Sequence, residues 1–285
     1  VGPETQERAR GEGFFARLGA NENGFGMSPL ALDAMQAADA GQWMYGDPES
    51  HDLRAAIAQR MGVTPSHVVV GEGIDGLLGY LVRLVVEQGD GIVTSDGAYP
   101  TFNYHVAGYG GVLHTVPYLG DHEDPAALIA KAREVGAKLI YFANPDNPMG
   151  SWHSADVIAR MIEQVPDGTL LVLDLISAFN KVRNHFGMNR AAQQAALAAL
   201  ADRAHLAQMR ETVAAARDRL ARIALDAGLR ALPSATNFVT IDCGGDGDFA
   251  RRVLAGIVAR GVFIRMPFVA PHDRCIRVSV GPDAE

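Results

Sequence analysis

Short apolar runs that alternate with helical patterns constrain the fold of this chain more than any other feature of its sequence. The apolar runs lie at 68–70, 91–96, 138–143 and 170–173. Helical patterns with one apolar face lie at 74–88, 125–135 and 154–164. Strands that are covered on both faces have continuous apolar runs, whereas strands with one solvated face alternate apolar and polar residues. The chain is therefore predicted to have an α/β fold, in which helices flank a mostly parallel sheet.

The chain after Gly228 has a different pattern. Strands are predicted at 237–242, 262–265 and 275–280, with a helix at 248–260. Residues 191–227 predict one long, alanine-rich helix before them. We therefore expect a large domain over residues 30–200. A smaller α+β domain would comprise 1–29 and 201–285, with the N-terminal arm and the connecting helix.

The composition disfavours several classes of protein. The 285 residues include 25 Lys and Arg against 33 Asp and Glu, which gives a net charge of −8. Proteins that bind nucleic acids or anionic membranes usually have a basic surplus, so we expect neither partner. No apolar run approaches the roughly 18 residues of a membrane span. Cys243 and Cys275 cannot form a disulfide framework, and the nine histidines lack metal-ligand spacing, so we expect a cytoplasmic protein without a metal site.

One junction in this pattern is unusually short. The apolar strand 170–174 ends at Asp174, and Leu175 already begins an amphipathic helical pattern that continues to Arg183. A connection between a strand and a helix usually takes about two to six residues and includes turn formers. Either the strand ends earlier than its pattern indicates, or the chain is interrupted between Asp174 and Leu175.

A glycine-rich turn follows the first apolar run. Residues 71–76 read Gly-Glu-Gly-Ile-Asp-Gly, and Asp96 lies twenty positions after Gly76. This is the spacing of a dinucleotide-binding fingerprint, so an NAD(P)-dependent oxidoreductase is one interpretation. That fingerprint usually opens its domain, however, and here Tyr99 lies where the ribose would bind. A glycine turn at a helix start can also bind other phosphate groups through its backbone N–H groups.

Polar side chains follow three of the predicted strands. Residues 144–150 read Asn-Pro-Asp-Asn-Pro-Met-Gly, and the two prolines restrict this backbone so that the Asn147 amide is held above the sheet. Tyr99 and Asp174 lie at the ends of two other strands. A buried carboxylate such as Asp174 needs a cationic partner, which an arginine or the protonated ring nitrogen of a cofactor can supply. Ligands of parallel sheets bind at the carboxyl ends of the strands, so these residues predict a ligand site.

These strand ends resemble those of the class I and II pyridoxal-phosphate aminotransferases, whose architecture is called fold type I. The resemblance covers about residues 17–281 and is greatest to the histidinol-phosphate aminotransferase branch. The segment 18–29 is similar to the family's Asn-Glu-Asn-Pro segment, with Gly24 in place of proline. The segment 43–48 is similar to the family's Tyr-Pro-Asp segment.

The resemblance implies a role for each matching residue. The phosphate of pyridoxal 5′-phosphate would be held by Gly73, Ile74 and Asp75, and by Tyr45 from the neighbouring subunit. Its ring would stack on Tyr99, with Asn147 at the 3′-oxygen and Asp174 at the ring nitrogen. Asp174 and Tyr99 would be the catalytic side chains. The substrate would lie near Asn21, with its carboxylate on Arg277, because a guanidinium can donate two parallel hydrogen bonds. Arg265 would meet a second anionic group.

The family also uses a lysine that forms a Schiff base with the cofactor. This chain has three lysines, Lys131, Lys138 and Lys181, and none matches the position of that residue. In the family, several tens of residues separate the strand of Asp174 from the helix that begins here at Leu175, and they include the lysine. We therefore expect the native polypeptide to contain further residues between Asp174 and Leu175.

The resemblance implies a homodimeric enzyme that transfers an amino group between an L-amino acid, or histidinol phosphate, and a 2-oxo acid such as 2-oxoglutarate. Apolar residues at 266–268, beside Arg265, leave an aromatic or other hydrophobic amino donor open. Threonine-phosphate decarboxylases resemble the same branch and share its ring-binding residues, so decarboxylation is an alternative. The NAD(P)-binding oxidoreductase and a non-catalytic relative are two further alternatives.

Overall fold

The computed structural model describes residues 2–173 and 187–283. Its helices are α1 (Pro3–Arg10), α2 (Pro29–Ala37), α3 (His51–Met61), α4 (Gly73–Val85), α5 (Pro100–Gly108), α6 (Pro125–Val135), α7 (Ala155–Gln164), α8 (Arg190–Ala201), α9 (Arg203–Asp226) and α10 (Gly247–Ala259). Its strands are β1 (Ala16–Arg17), β2 (Gly91–Ser95), β3 (Val112–Val116), β4 (Leu139–Tyr141), β5 (Leu170–Val172), β6 (Arg230–Ala231), β7 (Phe238–Asp242), β8 (Val262–Phe263) and β9 (Cys275–Ser279). Asp174, Lys181 and the junction between Asp174 and Leu175 lie outside the described residues.

A parallel sheet with the strand order β3-β2-β4-β5 forms the first part of the molecule. The strands β2, β4 and β5 lie where the apolar runs predict them, which confirms the parallel sheet. The prediction of a strand at 68–70 is wrong: Val68 is buried, and its carbonyl accepts a hydrogen bond from Arg54 Nε at 2.9 Å instead of pairing in the sheet. The edge strand β3 is not predicted, because His114 and Thr115 interrupt its apolar run.

Helices cover both faces of this sheet. Ile92 and Leu139 point to one face, where they pack against α4 and α5. Val93 and Ile140 point to the other face, where they pack against α6 and α7. Successive residues of a strand point to opposite faces, so both sets must be apolar, which explains the continuous apolar runs.

The C-terminal part of the chain contains a second, antiparallel sheet. Its strand order is β6-β7-β9, and α9 and α10 pack on it around a separate apolar core. The short strand β1 pairs in parallel with β8, which brings the N-terminal arm to this part of the molecule. These elements agree with the predicted α+β pattern. The domain limits at residues 30 and 200 remain a prediction.

The single helix predicted over 191–227 is wrong, because α8 and α9 are separate helices. Asp202 lies between them. Its side chain accepts hydrogen bonds from the backbone N–H of His205 at 3.1 Å and from the Ser28 hydroxyl at 2.6 Å. An aspartate that caps a helix N-terminus in this way favours a new helix start over continuation of the preceding helix.

Three further features of residues 2–173 and 187–283 limit the kinds of site they contain. No helix in these ranges is long and apolar enough to cross a membrane. In the same ranges, no group of three or more His, Cys, Asp or Glu side chains is arranged to hold a metal ion. Cys243 and Cys275 are both buried free thiols.

Candidate functional site

Tyr99 lies just beyond the carboxyl end of β2. Gly97 turns the chain with a φ of 86°, and Pro100 begins α5, so Tyr99 occupies the N-cap position of that helix. Its hydroxyl donates a 2.6 Å hydrogen bond to Asp75 Oδ1, in the first turn of α4. Partial burial, and then the bond to the Asp75 carboxylate, raises the pKa of Tyr99 above its usual range. The Tyr99 phenol is therefore neutral at neutral pH.

Asn147 is held in the loop that follows β4. Two hydrogen bonds of 3.0 Å close this loop, from the Met149 N–H to the Asp146 carboxylate and from the Gly150 N–H to the Asp146 carbonyl. Gly150 has a φ of 77°, and a Cβ there would lie 2.6 Å from Ser234 Oγ, so the position requires glycine. The Asn147 carbonyl oxygen accepts a hydrogen bond from Arg277 Nη1. The NH₂ group of Asn147 is therefore the part of its side chain that can donate to a ligand.

Arg277 projects from β9 toward the same loop and is buried. Its Nη2 donates to the Gly19 carbonyl at 3.1 Å, and its guanidinium lies 5.1 Å from the centre of the Phe238 ring. Burial, and then the neighbouring Arg265, lowers the pKa of Arg277 to about 10. Among the described residues its hydrogen-bond partners are neutral oxygens. A buried cation with neutral partners is suited to binding the anionic group of a ligand.

The N-terminal arm positions both Arg277 and Asn21. Asn21 has a φ of 58°, a left-handed conformation that asparagine adopts more readily than most residues. Its N–H donates to Ser279 Oγ at 2.9 Å, and its carbonyl accepts from Asn237 Nδ2 at 2.8 Å. A Cβ on Gly19 would lie 2.5 Å from the Phe263 ring, so glycine is needed where the arm passes that ring.

These residues surround one cavity of about 860 Å³. Six of the predicted site residues line it: Asn21, Asp75, Tyr99, Asn147, Arg265 and Arg277. Its volume lies within the range of about 300 to 1,000 Å³ that is usual for small-molecule sites. Arg265 is held beside Arg277 by two backbone hydrogen bonds, so two cationic side chains line the cavity. The cavity can therefore bind a small anionic ligand.

The other predicted site residues lie elsewhere. Gly73 begins α4, and together with Ile74 it lines a neighbouring groove that α8 borders. Tyr45 is 77% exposed, and its backbone carbonyl accepts a 3.1 Å hydrogen bond from Arg190 Nη2. Asp174 lies outside the described residues. The roles predicted for these residues at a cofactor remain predictions.

Two of the three lysines lie away from the cavity. Lys131 on α6 forms a 2.8 Å ion pair with Glu134. Lys138 directly precedes β4, so it lies at the opposite end of that strand from Asn147. Lys181 lies outside the described residues. No lysine of residues 2–173 or 187–283 lines the cavity.

Sequence reasoning missed two buried carboxyl groups, those of Glu123 and Asp146. Asp146 is part of the 144–150 segment, but only Asn147 was given a role there. Glu123 belongs to the acidic segment 121–124, whose composition is typical of a solvated turn. Burial of Glu123 is a consequence of the fold, and no spacing in the sequence signals it.

Comparisons with known proteins agree with this geometry. The family model for aminotransferase class I and II matches residues 15–176 and 168–285. The histidinol-phosphate aminotransferase of Anaeromyxobacter sp. (strain Fw109-5) is 29% identical over 328 residues, with 98% of this chain and 90% of the relative covered. That alignment is longer than the 285 residues of this chain, so the relative has residues without a counterpart here. The two matches of the family model meet at 168–176, beside the predicted interruption.

Solved structures are similar as well. The crystal structure of histidinol-phosphate aminotransferase from Sinorhizobium meliloti in complex with pyridoxal 5′-phosphate is 46% identical, with a TM-score of 0.97 over 100% of this chain and 91% of that chain. Aspartate aminotransferase from Thermus thermophilus with maleate shares the fold, at 21% identity and a TM-score of 0.73 over 98% of this chain and 90% of that chain. These likenesses favour an aminotransferase over the decarboxylase and NAD(P) alternatives. The chain therefore belongs to the class I and II aminotransferase family.

Proposed function

We propose that this protein is a pyridoxal-phosphate-dependent aminotransferase with histidinol phosphate as its amino donor and 2-oxoglutarate as its acceptor. The observation that carries the proposal is the buried Arg277 guanidinium, which lines the cavity beside Tyr99 and Asn147 and has neutral oxygens as its partners among the described residues. The donor has a phosphate and the acceptor has carboxylates. A guanidinium binds either group through paired hydrogen bonds.

The residues around the cavity suit pyridoxal 5′-phosphate. Tyr99 would supply an aromatic face for the ring and Asn147 an amide donor for the 3′-oxygen. Asp174, which lies outside the described residues, would supply a carboxylate for the ring nitrogen, as the family resemblance implies. The phosphate would be held at the start of α4 by Gly73, Ile74 and Asp75, because a helix N-terminus presents unpaired N–H groups to anions. The cofactor, when bound, supplies an electron sink for the substrate's Cα.

We propose that Arg265 binds the second carboxylate of 2-oxoglutarate and shares the phosphate of histidinol phosphate with Arg277. It is exposed, it lines the cavity, and its backbone is paired with that of Arg277. Asn21 would border the same end of the substrate, where Ser279 and Asn237 hold its backbone. Phe268 is also exposed in the cavity wall, so an aromatic amino donor remains the competing possibility.

The proposed substrate is tested by measuring amino transfer to 2-oxoglutarate from a set of donors that includes histidinol phosphate and phenylalanine. We expect kcat/KM to be highest for histidinol phosphate, because two arginines line the cavity and a phosphate dianion can accept charged hydrogen bonds from both, each worth about 1.5–3 kcal/mol, whereas the carboxylate of phenylalanine carries a single charge. A higher kcat/KM for phenylalanine would assign the pocket to hydrophobic donors. Release of CO₂ without amino transfer would support decarboxylation instead.

We also propose that two copies of the chain form a dimer in which Tyr45 of one subunit contacts the cofactor of the other. Trp43 and Tyr45 are large aromatic side chains that lie mostly exposed on one segment, as is common for residues that anchor protein interfaces. A cytoplasmic location is proposed as well, because both cysteines are free thiols, which persist in a reducing compartment.

An intact-mass measurement of the native protein tests the interruption between Asp174 and Leu175. We expect a denatured mass above the 30.4 kDa of this sequence, because the family's lysine has no counterpart among the described residues. Under native conditions the mass should be twice the denatured value if the protein is a dimer. A denatured mass of 30.4 kDa would mean that the chain is continuous and that its cofactor, if bound, is held without that lysine.

A further inference from the structure

Two carboxyl groups, those of Glu123 and Asp146, lie side by side behind the cavity. Each residue is only 1% exposed, and their side chains are hydrogen-bonded to each other. Among residues 2–173 and 187–283, no lysine, arginine or histidine side chain forms an ion pair with either carboxyl group. Two adjacent buried carboxyl groups without an ion-pair partner repel each other when both are ionised, and the nearby charge of Arg277 acts on Asp146, so the pair favours retaining one proton.

The pKa shifts of the two carboxyl groups favour Glu123 as the protonated member. Burial, and then the negative charge of Asp146, raises the pKa of Glu123 above its usual range. Burial also raises the pKa of Asp146, but the Met149 N–H and the Tyr118 hydroxyl, each at 3.0 Å, donate to its carboxylate and oppose that effect. The donors to Asp146 favour its ionised form, so Glu123 holds the larger share of the proton that the pair retains.

The pair links three strand ends to the loop that bears Asn147. Glu123 accepts a 2.6 Å hydrogen bond from the hydroxyl of Ser95, the last residue of β2, and a 3.0 Å bond from the Ala143 N–H after β4. Tyr118, which bonds to Asp146, follows β3. Asp146 directly precedes Asn147, so the shared proton lies one residue from a residue that lines the cavity.

We propose that Glu123 and Asp146 share a single proton that holds the Asn147 loop in place, and that Glu123 is thereby a positioning residue for the binding of pyridoxal 5′-phosphate. The ligand in this inference rests on the proposed function, whereas the shared proton does not. When the proton passes to solvent at alkaline pH, two negative charges face each other in a buried space. Their repulsion separates the end of β2 from the Asn147 loop, and the added charge opposes an anionic ligand.

The pH-dependent change in the Asn147 loop would not arise from the other titratable groups around Glu123 and Asp146. Burial raises the pKa of Tyr118 and of Tyr141, so both phenols remain neutral. Burial lowers the pKa of His272, whose ring packs against Tyr118, so it is neutral at alkaline pH. The His153 ring bonds to the backbone carbonyl of Glu123 and not to its carboxyl group, and Asp75 and Tyr99 bond to each other. Arg277 has a pKa of about 10, so its own titration would follow at higher pH.

The test measures the Kd of pyridoxal 5′-phosphate by absorbance titration between about pH 6 and pH 10 in the wild type, in Glu123→Gln and in the control Glu134→Gln. Glutamine keeps the polar contacts but cannot ionise.

In the wild type, we expect Kd to rise by up to about tenfold per pH unit as Glu123 loses its proton. In E123Q, this additional rise should be absent, so the ratio of the wild-type Kd to the E123Q Kd should increase with pH. The control, an exposed residue of α6, should follow the wild type. Identical profiles for wild type and E123Q would overturn the proposal.

Thermal unfolding without added cofactor provides a second measurement. A carboxyl group whose pKa is raised by folding contributes stability that is fully present below its unfolded pKa and is lost as the pH rises through its folded pKa. The Tm of E123Q minus that of the wild type should therefore increase between about pH 5 and pH 9. If the Tm difference increases but neither protein binds the cofactor, the shared proton stands and the proposed function fails. A constant Tm difference contradicts the shared proton itself.

Infrared spectroscopy of the wild type keeps the proposal testable even if E123Q does not fold. A protonated carboxyl group in a buried site should give a carbonyl stretching band at neutral pH that disappears reversibly at alkaline pH. The absence of such a band at neutral pH would overturn the proposal.

Discussion

Replacement of Arg277 by lysine should lower kcat/KM by a factor between about 30 and 4,000, which corresponds to about 2–5 kcal/mol for a buried charged contact. Lysine keeps the positive charge but cannot donate two parallel hydrogen bonds to one anionic group. It also cannot reach the Asn147 side chain and the Gly19 carbonyl simultaneously, as the guanidinium does. Steady-state kinetics with 2-oxoglutarate as the varied substrate measures the effect, which we expect mainly as a higher KM.

The matched control for this prediction is Arg260→Lys. Arg260 is exposed at the end of α10, and among the described residues its guanidinium donates to the Gly256 carbonyl alone. We expect its kcat/KM to remain within about twofold of the wild type, because an exposed arginine contributes little. The melting temperature of R277K shows whether a loss of activity reflects unfolding. A folded R277K protein with unchanged KM and kcat would exclude Arg277 from the substrate site.

The parallel sheet could be predicted because strands that are buried on both faces have continuous apolar runs in the sequence. The strands β2 and β4 contribute apolar side chains to both apolar cores, so Ile92 and Val93 in β2, and Leu139 and Ile140 in β4, are consecutive apolar residues. A continuous apolar run is also found where a segment is buried without pairing in a sheet, as at 68–70. The edge strand β3 is part of the sheet but has no such run. Periodicity reports burial, whereas strand pairing depends on what lies beside the segment.

The candidate site could be predicted only in part, for a related reason. Tyr99 and Asn147 follow strands of one sheet, so their proximity follows from the parallel order of β2 and β4. Arg277 lies 130 positions after Asn147, and only the packing of β9 brings the two side chains together. Their placement in one site was expected from the family resemblance and not from any spacing, and their direct contact was not predicted. Glu123 was not anticipated at all, because its burial depends on contacts with Ser95 and Ala143, at two other strand ends.

Replacement of Phe102 by alanine should lower the free energy of unfolding by about 3–5 kcal/mol. Phe102 is fully buried in α5, and its ring stacks on that of Tyr141 in β4 at 4.4 Å between centres. Alanine leaves a cavity at the junction of α4, α5 and the sheet, because closely packed neighbours relax only partly into the space. Since α5 begins directly after Tyr99, the same substitution should loosen the turn that positions the phenol. Urea denaturation at about 25 °C measures the loss.

The control is Tyr109→Ala, another aromatic truncation, at the C-cap of the same helix. Tyr109 is 46% exposed, so its removal should cost less than about 1.5 kcal/mol, and activity should be retained. The comparison separates loss of core packing from loss of helix propensity, since both variants place alanine on α5 or at its end. Equal losses of stability in the two variants would show that the Phe102 ring does not join α5 to the sheet. In that case the position of Tyr99 would depend on its other contacts, which include its bond to Asp75.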